Sequence, residues 1–386
     1  MMGEIALPIR LDCLELREIK LALKHPFETS FGTTTNRRVM IVTVIDHSGA
    51  VGYGECVAMD GPFYNAETIE TAWIIVTRHV ATVLAQADGI TAPQVSQLLD
   101  PIRGNRMATG AVEAAIWDLE AQLADEPLWK HIGGERTEVA CGVSIGIQPS
   151  VTALLEKVAR EIERGYQRIK IKIKPGVDVK LVESVRVKYP DILLSVDANS
   201  AYSLDRDLAT MKELDHYGLL MIEQPFRPGN LLDHAKLQRE MKTSVCLDES
   251  ITSVADASDA IELRACKIIN IKLGRVGGFS EAKKIQELAI ENSIPIWCGG
   301  MLETGIGRAH NIALSTLPGF TLPGDVSASS RYWVEDIVDP PITVSPRGTI
   351  TAPMSSGRGF EVNTQRLEAC TVRRDELSFA PVSVRS

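Results

Sequence analysis

The chain has 386 residues, with 41 Lys and Arg against 50 Asp and Glu, a formal charge of −9. It is long enough to bury a full core without staples, and it offers no basic field for a nucleic-acid backbone or an anionic membrane face. Apolar residues make up 45% and charged residues 24%, the balance of an ordinary soluble globular protein, and seven cysteines stand singly with no CxxC pair, which argues against a disulfide framework or a zinc site and for reduced thiols in the cytoplasm.

Glu4, Arg10, Asp12 and Glu15 interrupt the N-terminal stretch, and no apolar run of about 18 residues follows, so neither a signal peptide nor a membrane span is expected. VMIVTVID (39–46), the turn His47-Ser48-Gly49 and AVGYGECVA read as a hairpin. Segments 66–87 and 106–124 show helical periodicity, the second with Ala111, Val112, Ala115, Ile116, Leu119 and Leu123 on one face. Strands followed by helices, closed by Gly133-Gly134, predict an α+β domain over residues 1–134.

From about residue 139 the texture changes to short apolar strands, each followed by a polar helical segment. The strands read at 139–146, 168–174, 192–199, 218–225, 244–250, 266–274, 294–300 and 319–325, with helices such as 150–164 and 279–291 between them. Eight such units at a period of about 25 residues predict an α/β fold, a closed parallel barrel over 135–330. No helix follows the eighth strand, which makes it a modified TIM barrel, (β/α)7β. The Pro- and Gly-bearing segment 331–386 is expected to return to the first domain.

Chemistry in such a barrel gathers where strand C-termini meet the following loops. Lys170 and Lys172 fall there on the second strand, Asp197 on the third, Glu223 on the fourth, Asp248 on the fifth and Lys272 on the sixth, each about 25 residues from the last. Three neighbouring carboxylates in a barrel mouth oppose one another's ionisation unless a cation joins them, and all-oxygen ligation with room for water or substrate suits Mg²⁺, with Mn²⁺ able to substitute. Three unrelated solvated acids are the bland alternative, made improbable by the repetition in consecutive units. RIKIKIK could be a half-wet strand, but both faces of a parallel barrel strand are covered. Lys170 and Lys172 share a side, where two ammonium groups are expected to depress each other's pKa and yield a base near neutral pH. Lys272 lies four strands away, across the ring. Such a layout suits α-proton removal from a carboxylate, with racemisation, elimination or cycloisomerisation as outcomes.

Residues 142–146 match the GxSxG nucleophile elbow, and Ser144, Asp248 and His310 stand in hydrolase order. The elbow needs a helix directly after the serine, whereas Ile145 to Pro149 intervene and Ser150 is the expected cap, so a serine hydrolase is a remote alternative. No P-loop, GxGxxG or HExxH is present. A catalytically dead barrel kept as a binding module would be expected to have lost at least one of the ring charges, and none is lost.

The KxK at 170–172, the acids at 197, 223 and 248, Lys272, and the strings DANSAY, IEQP, CLDES, NIKLGRVGG and WCGGMLETGIGRA together resemble the enolase superfamily. The resemblance is to its muconate-lactonizing-enzyme subgroup, in the o-succinylbenzoate synthase and N-succinylamino acid racemase branch, and it spans nearly the whole chain. It implies that residues 1–134 cap the barrel mouth. It also implies Lys172 as general base, Lys272 as its opposite-face partner and Lys170 as a neighbour tuning Lys172. Ser144, Gly300 and Leu302 would line the succinyl side. Phe27, Phe31 and Met59 would come from capping loops, where HPFETSFGTTTNR suits a lid, although core packing is the default for such residues. Asn199 and Arg275 would stand near the mouth. The implied activity is o-succinylbenzoate synthesis by dehydration, in menaquinone biosynthesis, or N-acylamino acid racemisation, or both. The substrate would be a small carboxylate, and the protein a homo-oligomer. Strand seven ends without a histidine, and Asp325-Val326-Ser327 lacks the DxD of dipeptide epimerases; a muconate-type cycloisomerase stays open on the lysine pattern alone.

Overall fold

The computed structural model describes residues 8–30 and 32–379. Near the N-terminus, β1 (Leu11–Thr29) and β2 (Gly32–Asp46) form a long antiparallel hairpin, and β3 (Val51–Cys56) returns beside β2. Along β1 the apolar residues change face, Leu14 and Leu16 facing one core and Ile19 and Leu21 a second, while residues 13–22 stay in unbroken register with β2. Two covered faces hide β1 from a period-two reading. Segment 66–87 contains helical residues 69–84, opened by a Thr68–Thr71 capping box and interrupted by a π turn at Val76–Val80. The helix Arg106–Leu123 lies on the sheet so closely that a Cβ at Gly54 would stand 1.9 Å from the Ala111 carbonyl oxygen. Its other side meets the barrel, where Glu113 accepts the Phe279 and Ser280 N–H groups at 2.7 and 2.9 Å.

The barrel strands are β4 (Gly142–Ile145), β5 (Arg168–Lys172), β6 (Leu193–Asp197), β7 (Met221–Glu223), β8 (Ser244–Leu247), β9 (Ile268–Ile271) and β10 (Ile296–Cys298), parallel neighbours in chain order. A helix follows each, from Val151–Glu163 after β4 to Gly305–Ser315 after β10. The expected strand at 139–146 divides at Cys141, because Glu138–Ala140 pairs antiparallel with Thr349–Thr351 instead. The expected eighth strand, 319–325, is not a regular strand. Pro323 lacks a donor, and the segment forms only single bridges, Ile296 to Phe320 and Cys141 to Gly324. Those bridges still close the ring, with Gly142 N–H on Gly324 O at 2.6 Å and Asp325 N–H on Cys298 O at 2.8 Å. Beyond it the chain makes a short 3-10 turn, Ser329–Arg331, and a helix, Thr364–Cys370, before Thr371–Ser378 joins the edge of β1.

Inside the barrel, Met221, Cys246, Ile268 and Trp297 form an apolar floor. The Arg168 guanidinium lies on the Trp297 ring at 4.5 Å, in space that a Cβ at Gly142 would fill.

Two buried histidines bear on acid stability. His310 packs edge-on against Phe279 with Asp118 and Arg358 nearby, and His234 accepts the Phe226 N–H. Burial pushes both down to about 4. Each is neutral when folded, so its contribution is complete above the unfolded pKa of ~6.5 and is lost as pH falls toward 4, at about 1.4 kcal/mol per pH unit. Denaturant titrations of wild type and His310→Leu between pH 6.5 and 4.5 are expected to converge by that slope as pH falls. Parallel profiles would show that His310 is not the group responsible.

Candidate active site

The parallel register sets Lys172 beside Asp197 and Asp197 beside Glu223, so three charges reach one height on adjacent strands. Asp248 follows β8 directly. Carboxylate oxygens of Asp197, Glu223 and Asp248 lie within 4.8 Å of one another, and all three residues are buried. Two unit charges at that separation repel by about 3 kcal/mol even at an effective dielectric of ~20. Three hard oxygen donors with space left over fit a divalent cation.

Protein cations surround the same oxygens. Lys172 Nζ donates to Asp197 Oδ2 and Asn199 Oδ1, both at 2.6 Å. Lys272 Nζ donates to Asp248 Oδ2 at 2.8 Å, and Arg275 pairs with the other Asp248 oxygen. Lys170 Nζ lies 2.7 Å from Glu223, 2.8 Å from Asp325 and 3.3 Å from Asp197. Two lysines depressing each other is therefore not what the structure has at Lys170. Burial alone would lower its pKa, but Asp325, Glu223 and Asp197 outweigh burial and hold it above the ordinary lysine value. Burial likewise opposes charge on Lys272, and Asp248 with Tyr64 overcomes it, raising the pKa. Among the acids, burial would raise Asp248, yet Lys272 and Arg275 pull it well below the usual carboxylate range. Glu223 is pushed up to about 8 by burial and by the neighbouring Asp197.

Backbone strain accompanies the cluster. Asn199, Gln224 and Leu302 hold φ of 41°, 39° and 60° just past the ends of β6, β7 and β10, a conformation uncommon outside glycine. The strained Gln224 is well employed, since its Oε1 accepts the Asp248 and Ser250 N–H groups at 3.0 and 3.2 Å and so fixes the turn that presents Asp248. Asn270 donates to Glu223 Oε1 at 2.7 Å from below.

Phe27, Met59, Ser144, Asn199, Gly300 and Leu302 line one cavity together with Lys170, Lys172 and Lys272. Phe31 lies outside the described residues. Phe27 arrives on the tip of the β1–β2 hairpin, which sits on the barrel mouth through Ile147 N–H to Glu28 O at 3.0 Å, Lys174 to Glu28 at 3.1 Å and Ser30 Oγ to Asn199 O at 3.2 Å. Met59 comes from the loop after β3. Ser144 pairs with Lys170 across β4 and β5. It stands inside a strand with no helix before Val151, and neither Ser144 Oγ nor His310 Nε2 has a hydrogen-bond partner among the described residues, so these residues form no hydrolase triad.

Sequence reasoning missed Tyr64. From the capping loop its hydroxyl donates to Asp248 Oδ1 at 2.9 Å, and its ring lies 4.6 Å from Lys272 Nζ. GPFYNAET has no periodicity to betray it. Asp325, noted in the sequence only for the absent DxD, joins Arg168 to Lys170.

Comparison with known proteins agrees with this geometry. Residues 14–133 match the mandelate racemase / muconate lactonizing enzyme N-terminal domain, and residues 153–366 match the enolase C-terminal domain-like family. The chain is 47% identical over 364 residues to an o-succinylbenzoate synthase of Geobacillus stearothermophilus, covering 94% of this chain and 96% of that one. It is 43% identical over 367 residues to an N-succinylamino acid racemase of Amycolatopsis, covering 95% and 99%. A crystal structure of an enolase superfamily member from Listeria innocua superposes with a TM-score of 0.93 at 41% identity, over 96% of this chain and all of that one, 100%. The chain belongs to the enolase superfamily, in its mandelate racemase / muconate lactonizing enzyme group.

Proposed function

We propose that this chain is an Mg²⁺-dependent enzyme that removes the proton α to a carboxylate. In this reading it acts as an o-succinylbenzoate synthase, an N-succinylamino acid racemase, or both. The observation that carries the proposal is the placement of Lys172 and Lys272 on β5 and just past β9, four positions apart around the ring, each bonded to a different member of the carboxylate triad.

Asp197, Glu223 and Asp248 would hold the metal. Once bound, Mg²⁺ would stabilise the negative charge that builds on the substrate carboxylate and would compete for the carboxylate charge that keeps the lysines protonated. Lys172, aimed by Asn199, takes the α-proton. In racemisation Lys272 returns a proton to the opposite face; in dehydration the α C–H and β C–O bonds break and water leaves. A small soluble substrate in the cytoplasm agrees with seven buried, unpaired thiols and with the absence, among the described residues, of a helix long and apolar enough to cross a membrane.

Side-by-side kcat/KM values on N-succinylamino acids and on the o-succinylbenzoate precursor test the proposal, and turnover of neither with Mg²⁺ would overturn it. Lys172→Ala and Lys272→Ala are each expected to abolish racemisation, and Lys172→Ala to abolish dehydration as well. Full racemase activity in either variant would remove the two-lysine assignment. Asp197→Asn, Glu223→Gln and Asp248→Asn should each weaken Mg²⁺ binding by on the order of 10- to 100-fold in a calorimetric titration. Unchanged affinity in all three would refute the triad as the metal site.

A further inference from the structure

Arg37 stands on β2 opposite Leu21, 2% exposed, and makes no ion pair among the described residues. Burial lowers its pKa, with Glu55 and Glu303 only partly offsetting that cost. A guanidinium sealed from water without a bonded carboxylate is expensive, and an apolar residue would fill the same core space. What Arg37 does instead is donate to main-chain carbonyls: Val57 O at 2.6 Å, Ala58 O at 2.9 Å, Arg38 O at 2.9 Å and Met301 O at 3.4 Å. Two of these belong to the capping loop that ends in Met59. The Met301 carbonyl belongs to the barrel loop that carries Gly300 and Leu302. Both loops line the cavity.

The barrel loop needs such support. Leu302 is held at φ 60°, and the Met301 N–H is taken by Glu303 Oε1 at 2.8 Å. Arg37 on one side and Glu303 on the other therefore hold a strained turn in place. We infer that Arg37 is a positioning residue, tying the Met59 loop of the cap to the Leu302 loop of the barrel so that the two walls of the cavity keep one spacing and select the substrate's side chain. The inference rests on the proposed function for the kind of substrate, though not for the tie itself.

Arg37→Met and Arg37→Lys test it. Where each variant keeps the wild-type circular dichroism, Arg37→Met is expected to raise KM about ten-fold while kcat falls less, since Arg37 holds the walls that bind the substrate and bonds neither lysine. It should also shift, several-fold, the kcat/KM ratio between N-succinylamino acids with small and bulky side chains. Arg37→Lys should restore part of both, because an ammonium still donates to some of the carbonyls. Hydrogen–deuterium exchange should rise together in segments 57–61 and 299–303. If Arg37→Met fails to fold, the same comparisons on Arg37→Lys decide the matter. An unchanged substrate ratio with the two segments exchanging independently would overturn the inference. Turnover of no substrate by the wild type would instead count against the proposed function, and the paired exchange would still report on Arg37.

Discussion

Every feature of the barrel mouth follows from the need to keep ionised groups balanced where water is excluded. Asp197, Glu223 and Asp248 are buried and close enough to repel strongly. None could stay ionised there without a cation within hydrogen-bonding reach. The lysines have the converse problem and the same solution. Strand register supplies the partners: one residue per strand end, at one height, from segments about 25 residues apart in sequence. Met221, Cys246, Ile268 and Trp297 pack beside this layer as an apolar cluster.

The capping part is joined to the barrel by a repeated device, a buried carboxylate at a helix start. Glu113 accepts two N–H groups at the head of Phe279–Glu291, and Glu55 accepts those of Thr304 and Gly307 at the head of Gly305–Ser315. Unpaired helix N–H groups and a desolvated carboxylate satisfy each other. Burial still pushes Glu55 up to about 7, so the bonds only partly recover its lost hydration. Because Gly305–Ser315 starts just after the strained Leu302 turn, the same joint that fixes the cap also fixes a wall of the cavity. Tyr64, Phe27 and Met59 can then reach from the cap to the mouth with defined geometry.

Much of this was legible in the sequence because it is periodic. A strand every 25 residues or so, with a charge at its end, can be read from spacing alone, and the helices at 106–124 and 279–291 lie within a residue of their expected bounds. What was not legible depends on tertiary contact. β1 is masked because its apolar residues move from one covered face to the other, from Leu14 and Leu16 to Ile19 and Leu21. The eighth position reads as a strand at 319–325, but Pro323 lacks a donor and the segment closes the ring only through single bridges at Phe320 and Gly324. Tyr64 and Asp325 acquire meaning only when a loop from the cap and a barrel segment meet Lys272 and Lys170. The expected depression of the Lys170 pKa failed for the same reason: Lys172 is visible two residues away, whereas Glu223 and Asp325, which decide the outcome, are remote in sequence.

The central claim is that two lysines address opposite faces of one α-carbon. Single-enantiomer exchange in D₂O tests it most directly: each enantiomer of an N-succinylamino acid is incubated with Mg²⁺ and a single-lysine variant, and loss of the α-proton signal is followed by NMR. The account predicts that Lys272→Ala exchanges one enantiomer alone and Lys172→Ala only the other. Exchange of both enantiomers by either variant would contradict it.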